Sequence, residues 1–423
     1  MGAHADRRCG FLRLVFLSEV VGSVKRIKTS QLKVGMYITE LSDEWAADSH
    51  LKAEGLVTRP DTVKQLQSMG VADVYIDTSK GVDCRGSVPI EEIQKKHEQE
   101  LKSVQSSPIA EPLVAFEEER VAALAIRENA LSLVADVMQD VKMGRSFDTA
   151  AVDVIADEII ASVMNNQSAL SSLMRMRDKD QYLLEHSMNV AVLMGVLARS
   201  MGYRDKQLHE LVFGAFVHDI GKVRVPEEVL YKPGRLEAEE WVEMKRHVDY
   251  GIEALAAIPG IPTVAHDICA QHHERLDGSG YPFSLPENKI STPGRMASVV
   301  DVYDAVTADR CYHEGMAPTL ALKKMLEWSG DHLDRNLVYQ LIRCISVYPA
   351  GALVELSSGY LAVVQEVNAL QPSRPRVKLI YSLRRKAALP TAQSVNLAAN
   401  DQFGAIKRAV EPEPFSISLR DFL

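Results

Sequence analysis

The chain is short of cysteine, aromatic residues, positive charge and long apolar runs, and most of these shortages remove a class of protein. Its five cysteines (Cys9, Cys84, Cys269, Cys311 and Cys344) are scattered, odd in number and never spaced C-x-x-C. Neither a disulfide framework nor a zinc ribbon fits that usage, and a reducing, cytoplasmic setting is expected. Lysine and arginine total 48 against 57 aspartates and glutamates, a formal net charge of -9. That argues against non-specific DNA or RNA binding, which needs a basic face. A small anionic ligand held through cations stays compatible, because bound cations reverse the local field. The N-terminal run "FLRLVFLSEVVGSV" contains Arg13 and Glu19, is too short to span a bilayer and lacks a signal-peptide layout. No later stretch reaches membrane-spanning length, so no membrane span is expected.

What is present is a globular composition, 46% hydrophobic and 25% charged over 423 residues, long enough for two or three units. After an N-terminal tail (1–23), residues 24–82 read as a small α+β or mostly β module. There "KVGMYITEL" alternates around a Gly-Met turn, "DTVKQLQSMG" reads as a short helix and "VADVYIDTSKG" as a strand and turn. Residues 83–148 read as a polar linker followed by a helix. In that helix Val121, Leu124, Leu131, Val134, Met138 and Val141 keep to one stripe that Gly144 stops. A second stripe, Val152, Ile155, Ile159 and Val163, follows a capping residue at Ser146 or Asp148. Helical periods dominate 149–348. The last segment, 349–423, is a small β appendage, with strand runs in "ALVELSSGYLAVVQEV" and "RPRVKLIYS". The expected fold is therefore multidomain: an all-α central domain with a small N-terminal α+β/β module and a short C-terminal β appendage.

Nine of the twelve histidines fall between 186 and 332: His186, His209, His218, His247, His266, His272, His273, His313 and His332. Taken singly, His186 or His247 on a helix is more often a hydrogen-bonded interior residue than a ligand, and His209, His266 and His332 are read that way. The ordered series is different. His186, His218-Asp219, His247, His272-His273 and Asp301 recur about one helix and loop apart, so each helix of a bundle offers a ligand to a shared centre. Imidazole and carboxylate without thiolate suit Fe, Mn, Ni or Zn at a hydrolytic site. A carboxylate such as Asp219 has two oxygens and can bridge two cations, an arrangement that clamps an in-line displacement at phosphorus.

The order H…HD…H…HH…D resembles the HD phosphohydrolase superfamily, and "HDIGK" with "HHERLDGSGYP" is similar to its HD-GYP branch over about 150–348. Residues 24–82, through "LKVGMYI" and "VYID", resemble the small domain of unknown function that often precedes such units. The resemblance implies an all-α phosphodiesterase that cleaves the bacterial second messenger cyclic di-GMP by a hydroxide held between two metals. The product would be pGpG, with a second cut to GMP. It implies that His186, His218, Asp219 and Asp301 hold one metal, iron or manganese before nickel or zinc. Asp219 would bridge to a second, held by His247, His272 and His273. The Gly-Ser-Gly turn would present Gly280, Tyr281 and Pro282 to substrate and to partner cyclic di-GMP synthases of GGDEF type. A homodimer is also compatible.

Lys222, three residues after Asp219, is a point charge placed for a phosphate. Asp301 and Asp304 share a helical face, so Asp304 is expected to orient a ligand or take a proton, and Arg310 to meet a phosphate or a guanine edge. Family members often carry "DRPYR" here, whereas this chain has Cys311 and His313, and a neutral imidazole is a weaker phosphate partner than Arg or Lys. Some family members bind three metals through a Glu four residues before the first histidine. Here that position is Tyr182 and the nearest glutamate is Glu185, which predicts a two-metal centre. Three other functions remain open at this point: hydrolysis of another nucleotide or cyclic dinucleotide, a catalytically weak cyclic di-GMP receptor, and a metal-free structural bundle. Metal analysis and a hydrolysis panel separate them.

Overall fold

A computed structural model describes residues 23–41, 54–68, 71, 73–104, 111–174, 181–234, 236–308, 315–410, 412–415, 417–419 and 422. The N-terminal run noted above, and Arg310, Cys311 and His313, lie outside the described residues. The chain divides into two compact units: one runs up to Glu100 and also takes in the short segment 236–238, and the other comprises the remaining residues from Leu101 on.

The first unit is α+β. Strands β1 (Val24–Lys28), β2 (Tyr37–Leu41), β3 (Gly55–Leu56), β4 (Asp73–Asp77) and β5 (Val88–Pro89) form an antiparallel sheet of order β3-β2-β4-β1-β5. Helix α1 (Pro60–Ser68) contributes Leu66 to a core with Ile27, Met36, Ile38, Val74 and Ile76. The sheet runs past residue 82, because β5 pairs with β1. A two-residue strand ending in proline suits an edge and leaves almost no sequence signal. The polar text read as a linker begins with α2 (Ile90–Val104), a helix with two apolar anchors buried at its end, Leu101 and Val104.

The second unit opens with α3 (Phe116–Lys142) and α4 (Thr149–Leu173) packed together. Helix α3 carries three glutamates in its first turn and a lysine in its last, matching the helix dipole. Asp148 caps α4 by accepting the Ala150 and Ala151 N–H groups. There follow α5 (Tyr182–Ser200), α6 (Asp205–Val217), a 3-10 turn (Ile220–Arg224), α7 (Glu227–Leu230), α8 (Ala238–Lys245), α9 (His247–Ala256) and α10 (Thr263–Gln271). Helices α11 (Thr292–Thr307), α12 (Pro318–Trp328) and α13 (Arg335–Ile345) complete the bundle. Helix α5 is buried on nearly every side from Glu185 to Ala198, which marks it as the central helix of the bundle.

The C-terminal sheet has five strands, not the three that alternation suggested. Strands β6 (Leu353–Leu356), β7 (Tyr360–Glu366), β8 (Arg376–Ser382), β9 (Ala387–Asn396) and β10 (Ile406–Ala409) pair antiparallel in the order β10-β6-β7-β8-β9. Alternate residues feed two separate apolar clusters, one with Val354, Val364 and Leu379, the other with Leu353, Val363 and Ile380. Both faces are therefore covered. Asn166, where α4 leaves helical geometry, donates its amide to the Glu366 carboxylate (2.9 Å) and the Val114 carbonyl (3.1 Å), tying the sheet to the bundle. No helix among the described residues is long and apolar enough to cross a membrane.

Candidate metal centre

The ends of several helices meet at one buried point. His186 lies in the second turn of α5, near its start, His218 directly follows α6, Asp219 opens the 3-10 turn, His247 begins α9, and His272-His273 directly follow α10. Asp301 and Asp304 come from the body of α11. Helix ends suit such a site, because a side chain there reaches across a junction without disturbing a hydrogen-bonded turn.

Asp219 sits at the centre. Its Oδ2 lies 3.3 Å from His186 Nε2 and 3.4 Å from His218 Nε2, while its Oδ1 lies 3.4 Å from His247 Nε2 and 3.7 Å from His272 Nε2. One oxygen faces each set. Ligand atoms of His186, His218 and Asp219 lie within 4.8 Å of one another, and so do those of Asp219, His247, His272 and His273. Asp301 adjoins the first set, 3.0 Å from His186 Nε2 and 3.9 Å from His218 Nε2, with its other oxygen 3.9 Å from His273 Nδ1.

The imidazoles are held by their far nitrogens. Nδ1 of His218 donates to the Ala215 carbonyl (2.7 Å), that of His247 to the Met244 carbonyl (2.7 Å) and that of His272 to the Cys269 carbonyl (2.9 Å). A carbonyl can only accept, so Nδ1 carries the proton and the Nε2 lone pair faces inward. His186 Nδ1 is bound instead by the Asp304 carboxylate at 2.7 Å, the orienting arrangement found behind metal-ligating histidines. Asp301 and Asp304, one turn apart, thus grip the two nitrogens of one ring.

A cation fits this pocket. Nε2 of His218, His247 and His272 and Oδ1 of Asp219 are buried with no hydrogen-bond partner, and each such atom costs about 1–3 kcal/mol unless something coordinates it. Burial pushes His218 down to about 4 and His247 to about 3, and holds His273 well below the usual imidazole value. These rings are neutral and ready to ligate at physiological pH. Burial opposes charge on Asp219 too, but Lys222 and the surrounding imidazoles outweigh it and keep its carboxyl well below the usual range. At Asp301 burial is likewise overcome, by its contact with His186 first. His186 is the exception among the rings. Burial would lower it, yet Tyr182 and the carboxylates of Asp219, Asp301 and Asp304 together hold it well above the ordinary value. Negative charge is concentrated there, and a divalent cation would neutralise it.

Lys222 reaches the same carboxylate, bonding Asp219 Oδ2. Tyr281 stacks on His273, with centroids 4.6 Å apart and planes at 25°, and meets His247 and Trp241 edge-on. Gly280 admits no side chain, since a Cβ would lie 2.4–2.6 Å from backbone atoms of His273, Glu274 and Arg275. Pro282 follows in the same loop, beside the exposed Phe283. Tyr182 stacks on His186 (5.6 Å, 18°), while Glu185 turns to α3 and pairs with Arg127 at 2.6 Å. His209 and His332 stand apart, the first near Asp153 and Asp157, the second near Asp277. The residues that sequence reasoning missed are Trp241 and Lys245, which flank Tyr281, and Glu274, buried beneath the loop. Only Glu274 carried a signal, its place directly after the paired histidines.

The HD domain family profile matches residues 159–337, and a domain of unknown function (DUF3391) matches residues 24–152. The chain is 36% identical over 398 residues, 92% of each chain, to the cyclic di-GMP phosphodiesterase PA4108 of Pseudomonas aeruginosa. Two other relatives match over part of their length. A 3'3'-cGAMP-specific phosphodiesterase of Vibrio cholerae is 35% identical over 37% of this chain and 30% of that one. A cyclic di-GMP phosphodiesterase of Thermotoga maritima is 35% identical over 41% of this chain and 47% of that one. A solved HDG"Y"P protein from Bdellovibrio bacteriovorus covers 75% of this chain and 98% of that one at 17% identity and a TM-score of 0.45. With both sequence signatures intact, a cluster able to hold divalent metal and a full-length relative of this kind, the chain belongs to the HD-GYP family of metal-dependent phosphodiesterases within the HD phosphohydrolase superfamily.

Proposed function

We propose that this chain hydrolyses cyclic di-GMP to pGpG, and then to GMP, at a centre for two divalent ions, iron or manganese before nickel or zinc. The observation that carries this reading is Asp219, whose two oxygens face two separate imidazole sets. His186, His218, Asp219 and Asp301 would hold one ion, and Asp219, His247, His272 and His273 the other. Bound there, the ions supply Lewis-acid charge on the phosphoryl oxygens and an acidified water.

The chain's own residues do the rest. Asp304 fixes the His186 ring through Nδ1 and keeps Nε2 aimed inward. Lys222 sets its ammonium beside Asp219, where a phosphate oxygen of the substrate would share it. Tyr281, with Gly280 and Pro282, forms a wall against His273 on which a nucleobase can pack. Arg310, outside the described residues, is assigned to the second phosphate or a guanine edge. The same Gly280–Pro282 loop, with Phe283 exposed beside it, is where a partner cyclic di-GMP synthase of GGDEF type would dock. A cytoplasmic location accords with this substrate.

Tyr182 occupies the place of a third-metal carboxylate and Glu185 is engaged by Arg127. A phenol with a pKa near 10 is a poor ligand for a divalent cation at neutral pH. Elemental analysis of protein purified with abundant iron or manganese is therefore expected to give two ions per chain. Three would overturn the assignment.

A second substrate has specific support, because 3'3'-cGAMP-specific relatives are 35% and 38% identical to this chain over 37% and 39% of it. Incubation with cyclic di-GMP, 3'3'-cGAMP and pGpG, with manganese or iron and then with chelator, tests the proposal. Chelator-sensitive cleavage that favours cyclic di-GMP is expected. Preference for 3'3'-cGAMP would transfer the activity to that substrate, and no cleavage of any would remove the phosphodiesterase reading. Lys222→Ala is expected to lower kcat/KM by roughly tenfold to a hundredfold, the worth of one charge-assisted bond to phosphate, with metal content unchanged. Unaltered kinetics would place the phosphate elsewhere.

A further inference from the structure

Glu274 follows the paired histidines and is only 2% exposed, yet no lysine or arginine pairs with it among the described residues. A buried carboxylate without a cation persists only where strong donors solvate it. Here both oxygens are used: Oε1 accepts the Phe283 N–H at 2.7 Å and Oε2 the Leu285 N–H at 2.9 Å. Between those amides lies Ser284 at φ +52, a left-handed conformation that costs a non-glycine residue about 1–2 kcal/mol. That turn sends both N–H groups to the same carboxylate, a small concave anion nest.

We infer that Glu274 is the positioning residue that fixes the Gly280–Leu285 loop and so sets how tightly the centre holds its substrate. The inference rests on the function proposed above. The segment has no helix or strand of its own, and what presses it down is local. The Tyr281 N–H bonds the His273 carbonyl at 3.2 Å, Gly280 lies against the His273–Arg275 backbone, and Ser284 Oγ donates to the Gly280 carbonyl at 3.1 Å. Glu274 closes the far end of the loop. The outcome is the Tyr281 ring held flat on His273, with the Lys245 ammonium 5.8 Å from its centroid. Neither Asp219, Lys222 nor Asp304 lies on this loop, so releasing it alters the wall of the pocket and leaves the reacting groups in place.

Glu274→Gln offers an oxygen to one amide and an NH2 to the other, so one of the two bonds is lost with little change of volume. Two measurements follow. Hydrogen exchange at the Phe283 and Leu285 amides needs no substrate, and their protection is expected to fall at least about tenfold, as for one lost charge-assisted bond. In steady-state hydrolysis of cyclic di-GMP, KM is expected to rise about tenfold while kcat stays within about threefold, with both metal ions retained. Unchanged exchange in Glu274→Gln, or loss of a metal ion from it, would overturn the inference. Wild-type protein that shows protected amides but cleaves no cyclic dinucleotide would overturn the proposed function and leave this positioning role standing.

Discussion

Asp219→Ala is expected to release both metal ions together and to lower hydrolysis by about a thousandfold or more, since the ions supply several kcal/mol of transition-state stabilisation. The reason is geometric. Each ion would have its own histidines, but Oδ2 of Asp219 stands 3.3–3.4 Å from one set and Oδ1 3.4–3.7 Å from the other. Removing the carboxylate takes one ligand from each side at once. It also leaves Lys222 beside the imidazoles without its counter-charge. Two companion variants separate bridging from ordinary ligation. His272→Ala removes a ligand from one set only and is expected to lose one ion. Asp219→Asn keeps a single carbonyl oxygen and is expected to keep at most one, because its NH2 cannot ligate. Metal content by elemental analysis, read beside kcat/KM, distinguishes the three. An Asp219→Ala protein with two ions and normal hydrolysis would remove the bridge.

The centre was legible in the sequence because its chemistry is carried by rare residues in a fixed order. Histidines followed by aspartates or by each other, one per helix and loop, stand out against ordinary helical text, and the structure brings His186, His218, Asp219, His247, His272, His273 and Asp301 to one point. The shared helical face of Asp301 and Asp304 was legible too, but that both reach the same His186 ring is seen only in the structure. What was not legible depends on contacts between segments distant in sequence, or on backbone groups. Glu274 acts on two amides that no side-chain pattern reveals. Trp241 and Lys245 matter only because α8 meets the loop around Tyr281. In the C-terminal sheet, β9 is an edge strand with six of its ten residues exposed and only Val395 buried, so the alternation that reveals a half-buried strand is missing. The turn at Asn166 inside α4 likewise answers to Glu366, two hundred residues away.

Gly221→Ala is expected to cost about a hundredfold in kcat/KM and to weaken metal binding at the His247 side, although the residue touches neither metal ligand atoms nor substrate. Gly221 lies in the 3-10 turn that begins after Asp219, and that turn runs against the first turn of α9. A Cβ on Gly221 would lie 2.0 Å from the His247 carbonyl oxygen and 2.4 Å from the Gly251 amide nitrogen, where ordinary contact begins near 3.4 Å. Both atoms are backbone, so no rotamer change relieves the overlap, and the turn and the helix must separate by roughly 1 Å or more. That is a large displacement for a site whose Asp219 and His247 atoms stand 3.4 Å apart, because ligand sets tolerate only about 0.5 Å of error. Overpacking of this kind also destabilises by about 1–3 kcal/mol or more, visible as a lower melting temperature. The ions are expected to respond unequally: the ion at His186, His218 and Asp301 keeps ligands from α5 and α11 that the shift does not touch, whereas the one shared by His247 loses its alignment first. Titration of the metal-free variant with manganese should therefore show one site near wild-type affinity and one weakened. A Gly221→Ala protein with two unaltered sites and wild-type kcat/KM would mean that the turn and α9 do not make this close approach.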